Sequence, residues 1–246
     1  MEHYQRTLLL TGASRGIGHA TVKRFAQAGW RVLTVSRHGF PAECPWEGGE
    51  RNHVQMDLAD IEAMPAAIED IRSRLDHGKL DALVNNAAIS PKGADGSRLG
   101  ALETDAALLQ HVFRVNMFST ALLARGLFPE LRAAQGSIVN VTSIAGSRVH
   151  PFAGMAYATS KAALAALTRE MAHDFGQYGV RVNAIAPGEI DTSILSPGTS
   201  TIVDHDIPMR RLGQPAEVAE TIFFLCTNAS SYINGAEIHI NGGQHV

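Results

Sequence analysis

The chain has 246 residues, 45% of them hydrophobic, which suits one large domain over 1–246 with a sizeable core. Lys plus Arg number 21 against 24 Asp plus Glu, and the formal charge of −3 argues against attraction to nucleic acid or an anionic membrane and for a small-molecule partner. Cys44 and Cys226 lie far apart without CxxC spacing, the first six residues are too polar for a signal peptide, and no apolar run approaches the roughly 18 residues of a membrane helix; no metal, disulfide or membrane span is therefore expected, and a cytoplasmic location is.

Residues 7–10 are a short apolar run that reads as a buried strand and leads directly into Thr11-Gly12-Ala13-Ser14-Arg15-Gly16-Ile17-Gly18. Strand, glycine loop and helix together make a phosphate site. Glycines allow a tight turn and a close backbone approach, and the unpaired N–H groups at a helix N-terminus face the anion. Gly12, Ser14, Arg15, Gly16, Ile17 and Gly18 are the expected contacts. The helix is expected over 16–28, with Val22, Phe25 and Ala26 inward and Gly29 as its stop. Residues 31–36 form a second strand beside the first. Residues 39–50 read as a Pro- and Gly-rich loop in which Phe40 and Trp46 pack on something. A third strand over 53–56 ends at Asp57-Leu58, an amphipathic helix follows over 61–75, and a fourth strand over 80–84 delivers Asn85-Asn86-Ala87-Ala88.

Residues 89–100 carry three glycines and a proline and should lie near a substrate mouth. The pattern over 102–131 is one long, strongly apolar helix containing Asn116, which predicts burial against another subunit and hence a homo-oligomer. A fifth strand over 137–142 brings Ser143 out at its carboxyl end, where open parallel sheets place ligands. A sixth strand spans 180–185, 193–207 reads as a lid, Pro215 opens a helix to about 226, and a seventh strand spans 237–240. Strands alternating with helices predict an α/β fold, a single doubly wound Rossmann-like domain whose seven-stranded parallel sheet carries helices on both faces.

Tyr157-Ala158-Thr159-Ser160-Lys161 opens an Ala-rich helical pattern running to about 175. Four apart on a helix, Tyr157 and Lys161 share a face. A phenol with a pKa of roughly 10 serves acid-base chemistry near neutrality only when a cation stabilises the phenolate, and Lys161 is placed to supply one. Such a pair also arises by chance, and its weight comes from the motifs upstream. The spacing Gly-x-x-x-Gly-x-Gly, the Asn85-Asn86-Ala87-Ala88 run, Ser143, and Tyr157 with Lys161, in that order, resemble the short-chain dehydrogenase/reductase family over nearly the whole chain. That family's Asn motif usually ends in Gly, where this chain has Ala88.

The resemblance implies a dinucleotide-dependent oxidoreductase that interconverts a carbonyl and a secondary alcohol. Its catalytic residues would be Asn116, Ser143, Tyr157 and Lys161, with Tyr157 the proton donor, Ser143 a second donor to the substrate oxygen, Lys161 also on the nicotinamide ribose, and Asn116 holding a water that joins Lys161 to solvent. Without the resemblance, Asn116 could equally brace two helices. Asp57 and Leu58 would meet the adenine, though Asp57 is equally readable as a helix N-terminal carboxylate. Asn85 is chosen as a cofactor contact together with Ala87, and Pro187, Gly188, Ile190 and Thr192 would cup the nicotinamide. At the end of the second strand a carboxylate would read a ribose 2′-hydroxyl and a cation a 2′-phosphate. Here Ser36-Arg37 stands, with Arg15 to assist, so NADP(H) is expected over NAD(H), unless both arginines are merely solvated.

Candidate pocket residues are Ser90, Arg148, His150, Phe152 and Leu195. Two rival functions remain: a 3-oxoacyl thioester reductase, suggested by Pro208-Met209-Arg210-Arg211-Leu212-Gly213, and a non-catalytic dinucleotide sensor, which would have no need of a tuned phenol.

Overall fold

The computed structural model describes residues 4–40, 49–192 and 199–246. Its sheet has seven parallel strands in the order β3-β2-β1-β4-β5-β6-β7. They are β1 (Thr7–Thr11), β2 (Arg31–Ser36), β3 (His53–Gln55), β4 (Ala82–Asn85), β5 (Ser137–Val141), β6 (Arg181–Pro187) and β7 (Glu237–Ile240). Every residue of β1, β4 and β5 is buried, as expected of parallel strands covered on both faces. Side chains alternate across the sheet. Leu9, Leu33, Leu83, Ile138 and Val182 join a core with α2 (Met64–Ser73), α4 (Ser119–Gly126) and α6 (Met155–Gly176). Leu8, Leu10, Val84, Val139 and Ile185 join another with α1 (Gly16–Gln27) and α8 (Pro215–Leu225).

Helix α1 stops where Gly29 adopts φ +77, and Val22 and Phe25 face inward. Ala26, expected inward, is exposed. Helix α2 starts at Met64 rather than 61, with Pro65 in its first turn fixing the start. The helix expected over 102–131 is three helices: α3 (Ala106–Phe113), α4, and α5 (Phe128–Ala134), with a π-helical stretch Arg114–Phe118 between the first two. Asp105 caps α3 by accepting the Leu108 N–H at 2.8 Å. Pro129, lacking an N–H, restarts the chain at α5. Of the expected lid, Thr199–His205 is α7. Residues 193–198, with Leu195, and 41–48, with Cys44 and Trp46, lie outside the described residues; Phe40 packs on His53 with ring centroids 5.8 Å apart. Among the described residues no helix is long and apolar enough to cross a membrane.

Candidate active site

The strand order reverses direction between β1 and β4, which is where open α/β sheets open a crevice beyond their carboxyl ends. A crevice of about 440 Å³ lies there, walled by residues that follow β1, β2, β3, β4, β5 and β6. Gly12, Ser14, Arg15, Gly16 and Ile17 form its first wall. Gly12 has φ +73, and a Cβ there would lie 2.8 Å from Ala87 Cα, so only glycine keeps this floor open. Gly18 does not reach the crevice surface. A Cβ on it would lie 2.0 Å from the Gly12 carbonyl oxygen, so its absence of side chain lets α1 pack directly on the turn. Helix α1 has no acidic residue in its first turn and no side-chain cap, leaving its positive end to an anion. These features fit a dinucleotide diphosphate.

Ser36, Arg37 and His38 continue the wall beyond β2. The Ser36 hydroxyl donates to the His38 carbonyl at 2.8 Å, and Gln55 Nε2 donates to the Arg37 carbonyl at 3.0 Å, so the backbone carrying Arg37 is pinned from two sides. Asp57 and Leu58 line the next section, and Asp57 Oδ1 accepts the Ala59 N–H at 2.9 Å. Asn85 corrects the sequence reading. It is buried in β4, outside the crevice, and its Nδ2 donates to Asn140 Oδ1 at 2.9 Å, while Asn140 donates to Thr168 Oγ1. The neighbour Asn86 takes the crevice position beside Ala87, its Nδ2 donating to the Thr11 and Gly12 carbonyls at 3.1 and 2.8 Å. Alternation along the strand decides which of two adjacent asparagines faces out.

At the other end Ser143, Tyr157 and Lys161 line one wall, and Pro187, Gly188, Ile190 and Thr192 the facing one. Tyr157 and Lys161 stand one turn apart on α6, with Lys161 Nζ 5.6 Å from the Tyr157 ring centroid. The Ser143 hydroxyl lies near enough to Tyr157 to act on the phenol's pKa. Burial pushes the Tyr157 phenol up, Ser143 pulls it down, and the Glu189 charge raises it further. The acidifying cation expected of Lys161 is not what sets this phenol. Lys161 is 2% exposed and donates to the Val141 carbonyl at 2.6 Å, and burial lowers its own pKa from 10.5 to about 7.

Asn116 is not on the crevice wall. It is buried in the π-helical stretch, where its Oδ1 accepts the Ile89 N–H at 2.9 Å while its Nδ2 donates to the Ile89 carbonyl and to Ser160 Oγ, both at 3.0 Å. It ties the strand-β4 exit to α6. Of the pocket candidates, Ser90, His150 and Phe152 line the crevice, whereas Arg148 reaches away to the Gln244 carbonyl at 2.5 Å. Lys92 and Glu189 also line it and were not singled out from sequence. Glu189 follows Pro187-Gly188 directly, and a charged residue inside the segment expected to cup the nicotinamide is the signal that could find it. His150 Nε2 and Glu189 Oε1 lie 2.7 Å apart.

A family described as enoyl-(acyl carrier protein) reductase matches residues 12–245. Protein FixR of Bradyrhizobium diazoefficiens is 59% identical over 98% of this chain and 87% of its own. Two crystal structures superpose closely. An oxidoreductase of the short chain dehydrogenase/reductase family from Brucella ovis, in complex with a partially ordered NAD, has 60% identity and a TM-score of 0.85, covering 97% of this chain and all of that one (100%). A 3-oxoacyl-[acyl-carrier protein] reductase with bound NAD from Brucella melitensis has 34% identity and a TM-score of 0.88, covering 99% and 92%. With the parallel sheet, the glycine turn at its switch point and the Ser143, Tyr157 and Lys161 wall, these relations show that the chain belongs to the short-chain dehydrogenase/reductase family and is an oxidoreductase.

Proposed function

We propose that the protein is an NADP-preferring dehydrogenase/reductase that interconverts a small carbonyl compound and its secondary alcohol, with Tyr157 as the proton donor and acceptor. The observation that carries this is that the Ser143 and Tyr157 side chains line the same crevice as the glycine turn. It places two hydroxyls where one substrate oxygen can meet both. A nicotinamide dinucleotide, when bound, supplies or takes the hydride. In reduction, Tyr157 Oη gives its proton to the oxygen as negative charge develops there, and Ser143 Oγ donates a second hydrogen bond. Lys161, its Nζ 5.6 Å from the Tyr157 ring centroid, faces the cofactor ribose, and burial lowers its pKa to about 7, which leaves it poised to return a proton. Asn116 holds the Ile89 carbonyl and α6 in register for that return.

Gly12, Ser14, Arg15, Gly16 and Ile17 bind the diphosphate, Asp57, Leu58 and Ala87 the adenosine, and Pro187, Gly188, Ile190 and Thr192 the nicotinamide. The NADP preference is supported by Arg37 beyond β2 and Arg15 on the glycine-turn wall, with no carboxylate among Ser36, Arg37 and His38 to oppose a 2′-phosphate. NAD is the alternative cofactor, and the Brucella ovis relative binds it. One domain would serve both cofactor and substrate. A homo-oligomer in the cytoplasm is supported by the part-exposed Phe118 (41%) in the helical region and by the buried, unbridged Cys226.

A panel of ketones and secondary alcohols assayed with NADP(H) and NAD(H) tests the reading. Tyr157→Phe is expected to lower kcat by about 10²–10⁴-fold while cofactor affinity, followed by reduced-dinucleotide fluorescence, changes little. Retention of most of the turnover would remove Tyr157 from its role. Reduction of a 3-oxoacyl thioester is a second reading, favoured by the 34% identity to the Brucella melitensis reductase. Within 208–213, however, Arg211 is already held by Glu217 at 2.8 and 2.7 Å, which neutralises part of any docking surface. Saturable reduction of such a thioester would establish it.

A further inference from the structure

The crevice lined by Tyr157 and Ser143 is also lined by Lys92, His150, Phe152 and Glu189, and the three ionisable groups among these stand outside the set assigned above to the dinucleotide. The His150 and Glu189 side chains are 9% and 11% exposed and meet at 2.7 Å. The protonation pattern follows from the bonding. His150 Nδ1 accepts the Phe152 N–H at 3.2 Å, so that nitrogen carries a lone pair and the proton sits on Nε2, donating to Glu189 Oε1. The pair is a neutral imidazole steadying a carboxylate.

The backbone under Glu189 is fixed as well. The Gly188 N–H donates to the Ile240 carbonyl at 3.0 Å, the Glu189 carbonyl accepts the Gly213 N–H at 2.9 Å, and Ile190 bridges to Gly213. A carboxylate accepts up to about four hydrogen bonds, and His150 occupies one site on Oε1, so acceptor capacity remains on the crevice side. Burial raises the Tyr157 pKa and lowers that of Lys92, and the Glu189 charge adds a smaller upward effect on each. The Glu189 carboxylate and the Tyr157 hydroxyl line the same crevice. Lys92 is committed elsewhere, donating to the Phe152 carbonyl. What faces the substrate beside Tyr157 is a preorganised acceptor of negative charge, which favours a donor and repels a second acceptor or an anion.

We propose that Glu189, held by His150, is the specificity-determining residue of the site and accepts a hydrogen bond from a hydroxyl on the carbon next to the reacting one. The substrate class is then a vicinal diol and its 2-hydroxy ketone, rather than a 3-oxoacyl thioester or a hydroxy acid. This rests on the reading of Tyr157 as the proton donor at that position.

The test measures kcat/KM for oxidation of trans-cyclohexane-1,2-diol, cyclohexanol and trans-2-hydroxycyclohexanecarboxylate, with NADP⁺ and with NAD⁺, by the full chain and its Glu189→Ala and Glu189→Gln variants. A hydrogen bond to a charged acceptor should favour the diol over cyclohexanol by about 10- to 100-fold in the unaltered protein. In Glu189→Ala that ratio should fall close to one. Glu189→Gln, isosteric and still able to accept through its amide oxygen, should keep part of it, which separates lost recognition from lost folding. A ratio near one in the unaltered protein, a preference for the carboxylate, or a ratio that survives in Glu189→Ala would each overturn the assignment. Oxidation of other alcohols but none of these three overturns the Glu189 assignment alone. Absence of any alcohol oxidation, with dinucleotide binding intact, overturns the Tyr157 reading along with it.

Discussion

Adjacent residues in this chain do different work according to which way a strand points them. Asn85 and Asn86 are chemically identical, yet one braces β4 against Asn140 inside the sheet and the other laces the glycine turn at the crevice. Ser143 and Tyr157 lie 14 positions apart in sequence and line the same crevice. Arg37 is the residue on which cofactor choice turns. A guanidinium on a phosphate is a charge-assisted contact, so Arg37→Ala is expected to lower kcat/KM with NADP(H) by about 10- to 100-fold and to leave NAD(H) turnover nearly unchanged. Parallel assays with both cofactors measure this, and an unaltered ratio between them would show that Arg37 is not the reader.

The β1 to α1 turn is the element with least tolerance. Its strand is buried along its whole length, and its helix lies against the turn so closely that a Cβ at Gly18 would be 2.0 Å from a backbone oxygen and 2.8 Å from Asn86 Nδ2. The first of these neighbours is main chain and cannot swing aside. Gly18→Ala should therefore destabilise the fold by about 1–3 kcal/mol and weaken dinucleotide binding, read by urea unfolding and by fluorescence titration; a midpoint equal to that of the unaltered protein would contradict the close packing. The stretch between 102 and 131 teaches the opposite lesson about elements. Apolar periodicity continues smoothly through it, and the breaks come from features that periodicity does not weigh. Pro129 removes a donor, and the π-helical stretch holds Asn116, whose side chain bonds the Ile89 backbone and Ser160.

At the scale of the whole molecule, burying Lys161 links stability to pH. Its pKa falls from 10.5 in the unfolded chain to about 7 in the fold. Between those values the unfolded chain binds more protons, so stability should rise with pH across that window, the cost of the buried charge being fully present below about 7. Cys226 works the other way above its ordinary value of 9.0, because burial holds its thiol up to about 12. The window free of Cys226 is thus pH 7 to 9; the Lys92 pKa, also lowered by burial, adds the same sign in it and is common to the unaltered protein and the Lys161 variant. Urea unfolding across it should show a gain in the unaltered protein that is largely absent in Lys161→Met; equal slopes would mean that Lys161 is charged in the fold. The sequence by itself determined the seven alternating strands, the glycine turn and the Ser143, Tyr157 and Lys161 set, because period-two and helical patterns and short motifs are local properties. Only the tertiary structure decided that Asn86 rather than Asn85 meets the crevice, that Arg148 turns to Gln244, that Glu189 and His150 pair in the crevice, and that burial lowers the Lys161 pKa. Side-chain direction, desolvation and fields between residues distant in sequence exist only once the chain has closed on itself.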